Sequence, residues 1–326
     1  MRFIIPNYSL DDNFTNNVAH TLLKMGHEVL TVPKPTQLLD HRFMHMLQIV
    51  YDKVLPMRLM PQEKWLQKVH RDFKPDVVLA LTQELDENLL GELRQGGATT
   101  ISWWGDTPAN MRKQGLLVKN WDFIYIKDKY AAFKLRTLGL NAHYLPEAMN
   151  PDWHKKLYTQ IGTNICFAGS AYNYRHFLIR KLVESGFTDI TLYGDRPPRW
   201  AVESVKASYM NRFIVKEEKS RIFGESLACI NSTAMSEGNS INCRAFEIAG
   251  SCGLQVMEYR QAVEDCFEPG KEIVTYASLE ELQEKLNKYQ TDRPEAERIR
   301  NNGYQRALNE HTYEHRLNTI LENIRK

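Results

Sequence analysis

A polar stretch in the C-terminal half of the chain carries side chains that core packing does not need. Arg244 and Glu247 are spaced i, i+3, so they share one face of a predicted short helix that ends at Gly253. The pair is either a surface ion pair of little energetic weight or a ligand site, with Arg244 on phosphate oxygens and Glu247 on ribose hydroxyls. The spacing by itself favours neither interpretation.

The loop before this helix predicts an anion site. Free backbone N–H groups at a helix N-terminus point towards a ligand, and the positive end of the helix dipole favours negative charge. A diphosphate suits that arrangement. The loop residues that would surround it are Gly238, Asn239, Ser240, Ile241 and Asn242.

Two further turns follow apolar runs that are predicted strands. Gly169 and Ser170 form a strand-to-helix turn with Arg175 beyond it, and Tyr193 and Gly194 end the next strand. Neither turn has the GxGxxG spacing, and the chain contains no Walker sequence. Because parallel strands end at one edge of a sheet, we expect both turns to lie at the same ligand-binding edge.

In the N-terminal half, the segment Trp103–Pro108 follows an apolar strand, a position that faces the ligand crevice of an open α/β sheet. Asp106 could act as a base, orient an acceptor hydroxyl, or form an Asx-type turn ahead of Pro108. The pair Trp103 and Trp104 is more typical of a core than of a binding platform, although sugar rings stack well on indole.

Alternating strands and helices must position these residues. Such alternation implies parallel βαβ units, and the pattern begins again after a proline-containing linker at residues 146–163. We therefore predict an α/β protein with two Rossmann-like, doubly wound lobes facing a cleft, residues 1–150 and 151–312. Predicted strands cover residues 2–5, 28–32, 75–81, 99–103, 123–127, 164–170 and 190–194; predicted helices cover residues 14–25, 88–95 and 174–185.

Composition supports an ordinary globular protein. The 326 residues, 43% hydrophobic and 25% charged, suit two domains of about 150 residues each. The five cysteines form no CxxC pair, which predicts buried free thiols in a reducing compartment. The N-terminal apolar run is too short for a signal peptide, and no run approaches the ~18–20 apolar residues of a membrane span. We expect a cytoplasmic protein, either free or peripheral to the inner face of the membrane.

The charge distribution and the spacing of the histidines limit the classes of partner that the protein is expected to bind. Between Thr107 and Arg136 seven Lys/Arg stand against two acidic residues, which favours an anionic partner. The segment His41–Lys74 is predicted to be mostly helical and basic, and serves either as a packed amphipathic helix pair or as an acceptor-side or membrane-surface flank. The histidines show no metal-ligand spacing, and His311 and His315 are interpreted as structural.

Several motifs resemble one enzyme family. Residues 242–253, NCRAFEIAGSCG, resemble the RxFEalacG core of the CgeB-like, spore-maturation-type glycosyltransferases, which are relatives of glycosyltransferase family 4, group 1. Residues 267–273, FEPGKEI, resemble their lFepGkEi element. The remaining matching segments are residues 26–29 (GHEV), 103–108 (WWGDTP), 279–282, 299–303 and 311–316.

The resemblance implies the GT-B fold, with the acceptor bound mainly by the N-terminal lobe and the nucleotide-sugar by the C-terminal lobe. It also implies a final helix, about residues 313–326, that returns to the first lobe. Glu247 matches the second glutamate of the family 4 E-x7-E signature, which holds the ribose. The first glutamate falls at Asn239, so this part of the signature is absent.

The implied activity is transfer of a sugar from a nucleoside-diphosphate sugar to an acceptor hydroxyl in glycan or glycoconjugate synthesis, without a metal, with retention and without a tightly bound cofactor. Arg244 would stabilise the departing diphosphate, with Lys216 and Arg175 as further cations. Asp106 would orient or deprotonate the acceptor. The acceptor stays open among a glycan, a lipid-linked sugar, a protein and a nucleic acid. A non-catalytic nucleotide-sugar-binding protein and, more distantly, a nucleotide-sugar epimerase are the alternatives.

Overall fold

The computed structural model describes residues 1–8, 12–33, 61–111, 116–170 and 173–326. These residues divide into two compact units, Met1–Leu145 with Lys326, and Pro146–Arg325. Each unit is an α/β domain built on a parallel sheet, which confirms the predicted class. Residues 41–60 of the segment predicted to be helical lie outside the described residues.

The first unit contains a six-stranded sheet in the order β2-β1-β3-β4-β5-β6, and every described pairing in it is parallel. The strand order reverses between β1 and β3, so the switch point lies there. The strands are β1 (Arg2–Tyr8), β2 (Glu28–Pro33), β3 (Val77–Leu81), β4 (Thr99–Trp104), β5 (Phe123–Ile126) and β6 (Ala142–Tyr144), and the helices are α1 (Phe14–Lys24), α2 (Pro61–Phe73), α3 (Glu87–Gln95) and α4 (Lys129–Thr137).

Burial on both faces of the sheet explains the continuous apolar runs of this unit. All five residues of β3 are buried, as expected for a central parallel strand with helices on each side. Helix starts follow capping residues: the Asp86 side chain accepts from the Asn88 and Leu89 amides at 2.9 and 3.3 Å. The Asp128 side chain caps α4 in the same way, accepting from the Ala131 amide at 2.8 Å.

The two tryptophans of β4 belong to the core. Trp103 is 0% and Trp104 3% exposed. The Trp103 ring meets Phe14 edge-on at 4.8 Å between centroids, and its Nε1 donates to the Leu145 carbonyl at 3.1 Å. The core interpretation is therefore confirmed, because both indoles are almost entirely withdrawn from solvent.

The second unit contains a five-stranded parallel sheet in the order β11-β10-β9-β7-β8. Its order also reverses once, between β7 and β9. Its strands are β7 (Ile165–Ala168), β8 (Ile190–Tyr193), β9 (Ala228–Asn231), β10 (Gln255–Glu258) and β11 (Val274–Tyr276), and its helices are α5 (Asn173–Glu184), α6 (Glu203–Lys206), α7 (Lys216–Glu225), α8 (Cys243–Gly250), α9 (Gln261–Glu264), α10 (Leu279–Thr291), α11 (Arg293–Glu310) and α12 (Tyr313–Arg325).

Alternate residues of β7 face opposite layers. Ile165 and Phe167 join the cluster formed with α5, α10 and α11, whereas Cys166 and Ala168 pack with residues of α7 and α8. The sheet is thus covered on both faces, as a doubly wound fold requires. All five cysteines are free and four of them are buried, which confirms their predicted role as packing thiols.

The last helix, α12, belongs to the second unit by its contacts. The start of α12 is fixed from within that unit, since the Arg316 Nε donates to the Pro146 carbonyl at 3.1 Å. The predicted return of this helix to the N-terminal lobe stays a prediction. His311 is buried, with its Nε2 at 2.7 Å from the Cys266 carbonyl and its Nδ1 at 2.8 Å from Arg316 Nη2, which confirms its structural role.

Candidate functional site

The carboxyl ends of β7 and β8 approach each other through two glycines. The Gly169 amide donates to the Tyr193 carbonyl at 2.8 Å, and Gly169 and Gly194 have φ values of +114° and +153°. A Cβ atom on Gly194 would lie 2.2 Å from the Gly169 carbonyl oxygen. Both positions therefore need glycine, for conformation and for space.

We expect Gly194→Ala to lower the free energy of unfolding by more than the ~1–2 kcal/mol that a left-handed backbone alone costs an L-residue. Gly186→Ala is the matched control, since Gly186 also has a positive φ of +94° but nothing within 4 Å of an added Cβ. Urea denaturation of the two variants gives the comparison. If both variants lose the same free energy of unfolding, the close contact between Gly194 and Gly169 does not contribute to the cost of the substitution.

Arg175 lies across the switch point between β7 and β9. Its Nε and Nη2 donate to the Ser232 side chain and carbonyl at 2.8 and 2.7 Å, and its Nη1 donates to the Ser170 carbonyl. Its side chain is buried, only 5% of the residue being exposed. Arg175 thereby fixes the turn that contains Gly169 and Ser170, and its predicted phosphate contact stays a prediction.

Helix α8 brings the predicted pair together in a buried cluster. Arg244 Nε is 3.4 Å from Glu247 Oε2, while Lys219 Nζ is 3.0 Å and His154 Nε2 3.9 Å from Glu247 Oε1. The Glu247 side chain is 5% exposed and the Arg244 side chain 21%. A surface ion pair is therefore the wrong interpretation, because the carboxylate is withdrawn from solvent.

The cluster is a fixed arrangement of charge. Burial opposes ionisation of Glu247, but Lys219 and Arg244 outweigh it and hold the pKa of this carboxyl well below its usual range. Burial lowers the pKa of His154 to about 3, so that imidazole is neutral near pH 7. Two cations and one anion leave a net charge of +1, and Arg244 is its partly exposed member. The cluster therefore presents a cation to a ligand.

His154 makes stability depend on pH. Its folded pKa of about 3 lies below the usual 6.5, so between these values the unfolded chain binds more protons than the folded chain. The free energy of unfolding should fall as the pH decreases through this interval, by up to about 1.4 kcal/mol per pH unit from this residue. Denaturation curves of the wild type and His154→Asn should converge on acidification. Parallel pH profiles would contradict a buried neutral imidazole.

The N-terminus of α8 already faces a carboxylate. Glu147 Oε2 accepts a hydrogen bond from the Cys243 amide at 3.1 Å, in the field of the helix dipole. The side chain of Asn242 pairs instead with Asn231, through reciprocal amide bonds of 3.0 and 3.1 Å. The first amide of α8, at the helix N-terminus where the sequence predicts an anion site, is thus bonded to a side chain from the start of the same unit.

The loop before α8 is held by Arg260. Its Nη1 donates to the Gly238 and Ser240 carbonyls at 3.0 Å each. The Asn239 side chain accepts from the Ala262 amide at 3.0 Å and so caps α9. Ser240 and Ile241 are buried, which leaves Gly238 and Asn239 as the exposed members of the loop. Asn239 thus has a structural use at the position where the signature places a glutamate.

Lys216 and Lys219 lie one turn apart at the start of α7. The ammonium of Lys216 stands 4.8 Å from the centre of the Trp153 ring, whereas Lys219 points into the buried cluster. Sequence reasoning missed Lys219, His154 and Glu147. Lys219 could have been found from its i+3 spacing to Lys216. His154 and Glu147 gave no comparable signal, because they lie in a stretch that the sequence predicts to be a linker.

Asp106 of the first unit bonds to its near neighbours in sequence. Its Oδ1 accepts from the Thr107 amide and its Oδ2 from the Asn110 side chain, both at 2.7 Å, as the chain enters a short 3-10 turn at Pro108–Asn110. The same side chain lines a cavity of about 440 Å³ at the end of β4. An Asx-type turn would need the amide two residues on, and Pro108 has none, so that prediction is wrong. The bonds that form instead leave Asp106 at a concave surface. The other lining residues are Thr82, Trp104, Ala109, Asn110 and Met111.

The described residues contain neither a metal-binding cluster nor a membrane-spanning helix. Among them, no group of three or more His, Cys, Asp or Glu side chains is placed to hold a metal ion. No helix in this part of the chain is both long and apolar enough to cross a membrane.

Comparison with known proteins supports the assignment of the fold. Residues 175–322 match the family model described as glycosyl transferase-like. No curated protein sequence matches the chain. Sucrose-phosphate synthase from Thermosynechococcus elongatus is similar in structure, with a TM-score of 0.70 and 11% identity over 99% of this chain and 98% of that one.

Two further solved structures share the architecture. HepE of Anabaena, in complex with UDP and glucose, has a TM-score of 0.67 and 10% identity over 99% of both chains. A glycosyltransferase from Rickettsia africae has a TM-score of 0.66 and 11% identity over 98% of this chain and 97% of that one. The chain therefore has the GT-B fold, as the sequence resemblance implied.

Proposed function

We propose that the protein transfers a sugar from a nucleoside-diphosphate sugar to an acceptor hydroxyl. The observation that carries the proposal is the buried, ionised carboxylate of Glu247 at the ligand-binding end of the second sheet. Lys219 and Arg244 hold it charged. Its Oε2 is ion-paired with Arg244 Nε at 3.4 Å but accepts no hydrogen bond from the residues that the structure describes. A buried carboxylate oxygen calls for a donor, and a ribose hydroxyl supplies one.

The departing diphosphate would meet Arg244. A Cβ on Gly169 would lie 3.5 Å from Arg244 Nη2, so the guanidinium stands beside the turn where β7 ends. A cation fixed in this way stabilises negative charge as the bond to the sugar breaks, and the proposal requires no metal for that task. Lys216 is the second candidate cation. The neighbour HepE, whose structure holds UDP and glucose, supports this class of donor.

The acceptor would approach Asp106. We propose that this carboxylate orients the acceptor hydroxyl and that the reaction retains the configuration at the sugar, in line with the resemblance to the CgeB-like enzymes. The cavity beside Asp106 has room for part of a sugar ring. The proposed setting is glycan or glycoconjugate synthesis, with a glycan, lipid-linked or protein acceptor.

A thermal-shift screen against nucleoside diphosphates and their sugars tests the donor. A ligand present at 100 times its dissociation constant should add about 2.7 kcal/mol to the free energy of unfolding. The best donor is then incubated with an acceptor panel, and NMR of the product gives its anomeric configuration. If no nucleotide stabilises the protein, the proposal is overturned. Binding without turnover assigns a nucleotide-sugar-binding protein, and a changed sugar without any acceptor assigns an epimerase.

A further inference from the structure

Helix α4 of the first unit is apolar on the side that faces solvent. Ala132 and Leu135 point inwards and are buried against the sheet. On the opposite side Tyr130 is 66% and Phe133 53% exposed, and Leu138, which directly follows the helix, is 66% exposed. With 3.6 residues per turn, Tyr130 and Phe133 lie about opposite the two buried residues. The helix is therefore apolar on two faces, of which the fold uses one.

The exposed aromatic residues form one patch. The rings of Tyr130 and Phe133 stack with 6.2 Å between their centroids. A single exposed apolar residue is ordinary, whereas clustered ones mark an interaction surface. We call Tyr130, Phe133, Lys134 and Leu138 the α4 face.

The charged residues of the helix that carries this patch have one sign. Lys129, Lys134 and Arg136 give the helix three cations, and α4 contains no acidic residue. Lys134 Nζ stands 5.8 Å from the centre of the Tyr130 ring, so the charge borders the aromatic pair directly. The carboxylate of Asp128, just before the helix, is largely buried and bound to the Ala131 amide. The complementary partner is therefore apolar and anionic.

We propose that the α4 face docks on an anionic lipid bilayer. Aromatic rings suit the boundary between headgroups and acyl chains, and a lysine can extend its ammonium to the phosphates while its stem stays in apolar surroundings. A protein partner suits the face less well, since lysine is depleted at the centre of protein interfaces. The contact is shallow and reversible, and salt weakens it because part of the attraction is electrostatic.

Co-sedimentation of the full chain with vesicles tests this surface. We expect binding to phosphatidylcholine–phosphatidylglycerol vesicles, loss of binding in high salt, and little binding to phosphatidylcholine alone. The double variant Tyr130→Ser/Phe133→Ser should bind at least about tenfold more weakly, and Lys134→Glu about tenfold more weakly.

Phe177→Ser is the matched control. Phe177 is also 53% exposed on a helix, and Lys181 Nζ stands 5.3 Å from its ring centre, but it lies on α5 of the other unit and that helix ends in Glu184. This variant should bind vesicles as the wild type does. All variants should keep the wild-type melting temperature and nucleotide response, which separates this inference from the proposed function.

Three outcomes overturn the inference. One is vesicle binding that the double variant leaves unchanged. Another is equal binding to neutral and anionic vesicles by the wild type. The third is a dimer in analytical ultracentrifugation that the double variant converts to a monomer, which would assign the α4 face to a second copy of the chain.

Discussion

Replacing Glu247 with glutamine is expected to lower the free energy of unfolding by about 3–5 kcal/mol, the usual loss when one partner of a buried ion pair is removed. The reason is Lys219, which is 3% exposed and has the Glu247 carboxylate at 3.0 Å. Without that carboxylate a buried ammonium stays uncompensated. Urea denaturation measures the loss. Glu184→Gln is the control, because its pairs with Arg180 and Lys181 are exposed and screened by water, so its loss should hardly change stability.

Stability and ligand binding can be separated by a double variant. Lys219→Met with Glu247→Leu removes both buried charges, so much of the lost stability should return. Nucleotide binding should not return, since the double variant has no carboxylate for the ribose. Isothermal titration calorimetry makes the distinction. Wild-type nucleotide affinity in the double variant would show that Glu247 has only a structural role.

The pH dependence of the Glu247 contribution has a defined sign. The folded pKa of this carboxyl is lowered, so its stabilisation is complete above the unfolded value of 4.5. It is lost as the pH falls through the folded pKa. The difference in stability between the wild type and Glu247→Gln should therefore be largest near neutrality and should shrink in acid.

Replacing Arg244 with alanine is expected to weaken binding of the best nucleotide-sugar about 10- to 100-fold, the equivalent of one hydrogen bond to a charged group. Folding should change less than in the Glu247 variant, because Lys219 still pairs with the carboxylate. Arg244→Lys should fall between the wild type and alanine, since lysine keeps the charge but loses the planar fork. Calorimetry with the donor, followed by initial rates of transfer, gives both values.

Arg298→Ala is the matched control for Arg244. Arg298 also pairs with a glutamate at i, i+3 spacing, with 2.8 Å between its Nε and Glu295, but its side chain is 48% exposed on α11. Nucleotide affinity should be unchanged in this control. Wild-type affinity in Arg244→Ala would remove Arg244 from the donor site.

Local patterns in the sequence were sufficient for part of the fold. Alternating apolar runs predicted seven of the eleven described strands, β1 to β5, β7 and β8, with ends within about three residues, the usual accuracy of such boundaries. The short strands β6, β9, β10 and β11 were not predicted. Two further features depend on only a few neighbouring residues, so the sequence itself shows them. They are the alternation of side chains along β7 and the asparagine and aspartate caps of the helices. The hydrogen bonds of Asp106 also act over a short range, because its partners Thr107 and Asn110 are neighbours in sequence.

Only the tertiary structure shows whether the pair Arg244 and Glu247 is exposed or buried. Spacing paired Arg244 with Glu247 but left an exposed ion pair and a ligand site equally open. The burial of Glu247 excludes an exposed ion pair. The buried carboxylate is tolerated because it pairs with Lys219, which lies 28 residues away in sequence. Glu147, which occupies the first amide of α8, lies 96 residues from Cys243. Dielectric, charge pairing and access to a helix end depend on which distant segments are packed together, and no local spacing records that.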